Sequence, residues 1–213
     1  MRTAIIAGAS GLVGTELLRK LIDSDHYRLI YILTRKSSGI LHEKIKEFVI
    51  DFELIGQLEF NEPIDDVFCT LGTTLKKAGS REKFKKVDYG YVVTLASMGK
   101  RCRASQFLVV SSMGANPDSS IFYNQVKGMT EQALISMKFE QLVIVRPSIL
   151  LGERSEVRPA ERLSAIFMKA LNFLIPYNYK AISAEKVADS MLNLALRPTG
   201  SVRIVKSGEM LRG

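Results

Sequence analysis

Cysteine is scarce. Cys69 and Cys102 are the only two in 213 residues, and their spacing fits neither a metal-ligand pair nor a redox motif. A secreted domain of this size would usually carry a disulfide framework, so both are expected as reduced thiols and no metal site is expected. Long apolar runs are also missing. No stretch approaches the ~18 residues that a membrane span needs, and no basic segment followed by an apolar one opens the chain. The expectation is a cytoplasmic protein with no membrane span. Internal repeats, low-complexity tracts and interdomain linkers are absent as well, which leaves a single domain over 1–213.

What is present supports a packed core: 46% of the residues are hydrophobic, enough for one large domain. The net charge of +8 favours anionic partners. Basic residues cluster at Lys76, Lys77, Arg81, Lys83, Lys85 and Lys86, and again at Lys100, Arg101 and Arg103. No nucleic-acid-binding motif accompanies them and no stacking aromatics interleave them, so they are read as solvated helix faces around an anionic cofactor; no nucleic acid is expected.

Runs rich in β-branched residues recur at 3–7, 28–34, 46–50, 64–70, 106–112, 140–146 and 202–205, with helical patterns at about 11–23, 80–103, 122–137, 158–174 and 184–196. Such alternation specifies an α/β fold, a Rossmann-type doubly wound parallel sheet. The rhythm breaks over 151–182, read as a small irregular C-terminal region covering the substrate. Within it, the apolar stripe from Leu163 to Tyr179 either lines a pocket or packs on the sheet.

The first run leads directly into GASGLVG. Gly8 permits a tight turn, Gly11 lets backbone approach a pyrophosphate, and Gly14 lets the next helix pack on the strand. Ser10 adds a hydroxyl, and the helix N-terminus at Leu12 and Val13 supplies free N–H donors. The second strand ends at Leu33-Thr34 and is followed by Arg35-Lys36, where an NAD site would place an acid on the ribose. A guanidinium there grips a 2′-phosphate, so NADP(H) is expected and NAD(H) less so. Asp51 either accepts from the adenine amino group or caps a helix. The fourth strand delivers CTLGTT: Leu71 and Gly72 carry backbone past the cofactor, and Thr70, Thr73 and Thr74 offer hydroxyls to it.

The fifth strand ends in Ser111-Ser112, and Tyr123 and Lys127 lie four apart at the start of the next helical pattern. That spacing puts both on one helix face, where the ammonium favours the phenolate and Tyr123 can give or take a proton while a hydride moves. Ser111, or its neighbour Ser112, would hold the substrate oxygen.

GASGLVG, CTLGTT, VVSSMGAN, YNQVKG and RPSILLGER together resemble the atypical short-chain dehydrogenase/reductases, especially the Tat-interacting-protein-like oxidoreductases. The resemblance covers about residues 1–155. It implies NADP(H) binding, a Ser111-Tyr123-Lys127 catalytic set, a ribose contact from Lys127, and an approach of Pro147, Ser148 and Ile149 to the nicotinamide amide. Related sequences usually carry Gly where Ser148 stands, and no counterpart of the larger family's catalytic Asn is evident. The function expected is hydride transfer to or from a small carbonyl or alcohol substrate. The alternative is a non-catalytic NADP(H)-binding regulatory or scaffold protein. Helices 80–103 and 122–137 would be the faces of a homodimer.

Overall fold

In the computed structural model, which describes residues 1–151 and 177–212, seven strands form one parallel sheet. They are β1 (Arg2–Ala7), β2 (Tyr27–Thr34), β3 (Ile45–Val49), β4 (Asp66–Cys69), β5 (Gln106–Val110), β6 (Gln141–Arg146) and β9 (Ser201–Lys206). The order is β3-β2-β1-β4-β5-β6-β9, so the chain winds outward from β1 in one direction and then from β4 in the other. That reversal opens a crevice between β1 and β4 at their carboxyl ends, the place where doubly wound folds bind ligands. A separate parallel pair joins β7 (Leu150–Leu151) to β8 (Ile182–Ser183). All seven expected runs are strands of the main sheet.

The five inner strands are apolar on both sides because helices cover both sides, whereas the edge strand β3 is only partly buried and the edge strand β9 is largely exposed. Side chains alternate: Ile5 and Ala7 with Leu29, Tyr31 and Leu33 enter one layer, while Ala4 and Ile6 with Ile30 and Ile32 enter the other. The second layer is closed by α1 (Leu12–Asp23) and α6 (Ala184–Leu196), through Leu17, Leu18 and Leu21 on α1 and Val187, Ala188 and Met191 on α6. The first is closed by α4 (Val92–Arg101) and α5 (Phe122–Ser136), with a 3-10 turn over Phe52–Gln57 supplying Phe52 and Ile55. Each fully buried side chain of this size contributes ~1.5–3 kcal/mol. No described helix is long and apolar enough to cross a membrane.

Two departures from the expected elements bear on the site. The helix expected over 80–103 runs without interruption from Arg81 to Arg101, but its middle is not α-helical: α3 (Arg81–Lys85) passes through a π-helical turn over Lys86–Tyr91 into α4. Asp88 lies in this wide turn and is fully buried, and such turns cluster at functional sites. The chain also ends in α7 (Ser207–Arg212), and α2 (Leu75–Ala78) follows the fourth strand. The helix expected over 158–174, and residues 152–176 of the expected substrate cover, lie outside the described residues.

Candidate active site

The glycine turn is built on steric necessity. Gly8 has φ +94°, and a Cβ there would lie 2.6 Å from the Thr70 carbonyl carbon. A Cβ on Gly14 would lie 2.1 Å from the Gly8 carbonyl oxygen. Gly11 is different: it caps α1 with ordinary extended backbone (φ −82°, ψ 167°), and its Cβ would meet only Gly8 O at 3.3 Å. Gly11 is therefore not demanded by the turn, and its missing side chain leaves room for something else. The Gly11 N–H donates to Gly8 O at 2.9 Å, and helix geometry leaves the N–H groups of Leu12, Val13 and Gly14 without intrahelical acceptors. The first turn holds no acidic residue and Gly11 has no side-chain cap. This end of α1 suits an anion.

The loop after β4 faces that turn. Thr70 ties the two together, its backbone N–H at 2.9 Å and its hydroxyl at 3.0 Å both donating to Ala7 O. The Thr70 hydroxyl proton is thus used in holding the turn, whereas the Thr74 hydroxyl caps α2 by accepting from the Lys77 N–H at 3.1 Å and keeps its own proton to donate. Leu71 turns inward into the core. Gly72 and Thr73 pass directly over Asp88 and Lys127.

Arg35 and Lys36 follow β2 on the exposed rim. The Thr34 hydroxyl donates to Lys36 O at 2.7 Å, which closes a tight turn with Arg35 at its tip. Nearby, Tyr91 stacks edge-on against Phe52 at 5.7 Å and donates to Glu53 at 2.6 Å. Burial first, then Glu53, push the Tyr91 phenol up to about 12, while Arg35 acts in the opposite direction. Asp51 caps the 3-10 turn, accepting from Glu53 N–H at 3.1 Å. Its carboxylate has a structural use before any adenine contact.

The two serines after β5 have separate fates. Successive residues of an extended segment face opposite ways. Ser111 Oγ donates to Glu131 Oε1, and that buried carboxylate is also gripped by Arg146, whose Nε donates to it at 3.0 Å. Ser112 Oγ is buried and has no hydrogen-bond partner among the described residues. It lies on the wall of a cavity of about 400 Å³ whose described lining is Ser112, Met113, Tyr123, Pro147, Ser148, Ile149 and Tyr179. The serine that shares a cavity with Tyr123 is thus Ser112. Ser111 stands behind it in a charge-assisted network that a substrate would have to break.

Tyr123 is placed by packing. Its ring lies 5.5 Å from that of Phe84, which is fully buried on α3. Gly128 brings the whole helix close, since a Cβ there would sit 2.2 Å from the Asn116 carbonyl carbon. Lys127, 6% exposed, points inward to Asp88 Oδ1 at 2.8 Å. Burial opposes its charge, but Asp88 and then Tyr123 outweigh it, so the ammonium is held above its ordinary range.

Pro147, Ser148 and Ile149 are fastened from two sides. Pro147 O accepts from the Met113 N–H at 3.0 Å, and Ser148 N–H donates to Ser207 Oγ at 2.7 Å while its hydroxyl donates to Lys180 O. Ser148 therefore joins this loop to α7 and to the segment before β8. Sequence reasoning missed Asp88 and Ser207. For Asp88 a signal existed, an acidic residue within an otherwise apolar helical face beside Gly90.

A family model described as the NAD dependent epimerase/dehydratase family matches residues 4–212. The chain is 32% identical over 215 residues to Protein HTATIP2 of Rattus norvegicus, covering 99% of this chain and 88% of that protein. It is 36% identical over 156 residues to Protein FMP52-1, mitochondrial, of Scheffersomyces stipitis, covering 71% and 69%. Among solved structures, the Bordetella bronchiseptica enzyme WbmH in complex with NAD+ superposes with a TM-score of 0.71 at 15% identity, over 98% of this chain and 76% of that one. UDP-glucose 4-epimerase with UDP-glucose from Thermotoga maritima gives 0.69 at 15% identity, over 97% and 77%. At such identities the likeness is one of fold.

Proposed function

The chain belongs to the NAD dependent epimerase/dehydratase family, and we propose that it is an NADP(H)-dependent oxidoreductase acting on a small carbonyl or alcohol. The observation that carries this reading is the convergence of Ser112 and Tyr123 on one cavity, with Lys127 buried one helical turn behind Tyr123. A buried hydroxyl without a partner costs about 1–3 kcal/mol. A substrate oxygen in the cavity would recover that cost.

The residues fit a dinucleotide. A side chain at Gly11, whose Cβ has only Gly8 O within 4 Å, would stand in the open phosphate cradle, and the first-turn N–H groups of α1 would take the pyrophosphate. Arg35 and Lys36 would hold a 2′-phosphate, Lys127 the nicotinamide ribose, and the Pro147–Ile149 loop the amide. NADPH, when bound, supplies the hydride. For carbonyl reduction, Ser112 donates a hydrogen bond to the substrate oxygen and polarises the carbonyl. Tyr123 then gives its phenolic proton to that oxygen as hydride reaches the carbon. The Lys127 ammonium stabilises the phenolate left behind.

Two comparisons test these assignments. Ser112→Ala is expected to lower kcat/KM by about 10²–10³, the loss seen when one oxygen-stabilising donor is removed. Ser111→Ala is expected to keep most of the activity and lose stability by about 1–3 kcal/mol, since its network lies behind the cavity. Steady-state rates and thermal unfolding of the two variants decide between them, and the reverse pattern would return the catalytic role to Ser111.

Cofactor choice is read by Arg35→Ala. Losing a charged partner from a phosphate contact costs ~1.5–3 kcal/mol, with exposure pulling toward the lower end. NADPH affinity is expected to fall about tenfold or more while NADH affinity stays nearly unchanged. Calorimetry with both cofactors checks this, and equal losses would show that Arg35 does not read the 2′-phosphate.

A further inference from the structure

A buried ion pair is a costly way to hold a helix, because apolar residues of similar size often serve as well or better. The Asp88–Lys127 pair is such a case: Asp88 is fully buried, Lys127 is 6% exposed, and they meet at 2.8 Å. Asp88 is fixed from three directions. Its Oδ2 accepts from the Thr73 N–H at 2.8 Å, its carbonyl accepts from the Thr130 hydroxyl at 2.9 Å, and the π-helical turn sets its backbone. Thr73 belongs to the loop that faces the glycine turn, and Lys127 belongs to the helix that carries Tyr123. A single carboxylate therefore joins the cofactor-facing loop to the catalytic helix.

We propose that Asp88 is a positioning residue that keeps Lys127 charged and aimed at the cofactor ribose and Tyr123, and that ties this charge to the Gly72–Thr73 loop. The assignment rests on the oxidoreductase reading for its consequence in turnover, but not for its electrostatics. The titratable groups that act on Lys127 are Asp88 from the π-helical turn, Tyr123 from its own helix and the buried Cys69 thiol from β4. Burial pushes Cys69 up to about 12, so it is neutral. Asp88 is thus the one carboxylate among these three groups. Asn keeps the shape and an oxygen for the Thr73 N–H but turns an amide NH2 toward Lys127, so it removes the counter-charge, and the pH dependence it introduces reports on that charge.

The test compares the full chain with Asp88→Asn, Lys127→Met and the double variant between about pH 6 and pH 9. A buried amine without its counter-charge loses its proton as pH rises, and unpaired buried lysines titrate well below their usual range. In Asp88→Asn the affinity for NADPH is expected to be at least tenfold weaker at pH 9 than at pH 6, relative to the parent at each pH. Lys127→Met and the double variant should be weak at every pH, without that added slope. Thermal unfolding gives a second readout that needs no cofactor. The lone Lys127 of Asp88→Asn binds a proton more weakly folded than unfolded, so its melting temperature should rise with pH relative to the parent. The double variant, with no charge to bury, should lack that rise. If Asp88→Asn does not fold, the double variant is expected to fold. Asp88→Asn with the parent's unfolding profile, or a double variant as unfolded as the single, would overturn the proposal. A parent that binds no NADPH, or Lys127→Met that binds it as tightly as the parent, would instead count against the oxidoreductase reading and leave the unfolding comparison to judge Asp88.

Discussion

Tyr123→Phe is expected to bind NADPH as the parent does and to turn over a carbonyl substrate about 10²–10⁴ times more slowly, the range for lost acid–base catalysis. The change is small in every respect but one. Phe keeps the ring that packs 5.5 Å from Phe84, and the phenol oxygen is the sole atom removed. Lys127 keeps its pair with Asp88, so the ribose contact assigned to it survives. A loss confined to kcat, with calorimetric NADPH affinity unchanged, is therefore the signature of a proton donor. Equal loss of affinity would mean that Tyr123 shapes the cofactor site, and unchanged turnover would remove it from the reaction.

The second large effect separates two glycines of the same motif. Gly14→Ala is expected to reduce NADPH affinity more than a hundredfold and to destabilise the fold. Its Cβ would stand 2.1 Å from Gly8 O and 2.8 Å from Gly8 C, which are backbone atoms of a turn already held at φ +94° and tied to Thr70. No side-chain rotation relieves such a contact, so α1 must move off β1. Gly11→Val is expected to lose binding to a similar degree while losing far less stability than Gly14→Ala, because its backbone is in an ordinary region and its Cβ would need Gly8 O, at 3.3 Å, to give by only a few tenths of an ångström. Calorimetry and thermal unfolding on both variants test the contrast. Wild-type affinity in a folded Gly11→Val would make the motif a structural turn alone.

Much of this arrangement is legible in the residues because it is local. Strands buried on both faces write themselves as β-branched runs, and a glycine turn between strand and helix is a contiguous motif. The site is less legible where two distant segments decide. Ser111 and Ser112 are chemically identical in sequence, and a choice between them needs the side of the sheet on which Glu131, Arg146 and Tyr123 lie. Asp88 is an acid inside an otherwise apolar helical face, but the π-helical turn that carries it, and its partner Lys127 on α5, are not written in the local pattern. The Ser148–Ser207 contact joins residues 59 positions apart, beyond the reach of any local pattern. Thr70 shows the converse: a hydroxyl suitably placed in sequence for a cofactor is spent on Ala7 O instead.

The central claim is that Ser112, Tyr123 and Lys127 form a working hydride-transfer site. Its most direct test is incubation of the parent and Tyr123→Phe with NADPH carrying deuterium at the transferable position, against a panel of aldehydes and ketones. The parent is expected to form an alcohol with deuterium on the former carbonyl carbon, and Tyr123→Phe is expected to form far less of it while binding the cofactor equally well. A parent that binds NADPH tightly yet transfers deuterium to no carbonyl compound would contradict the account and favour a protein that senses the cofactor without turning it over.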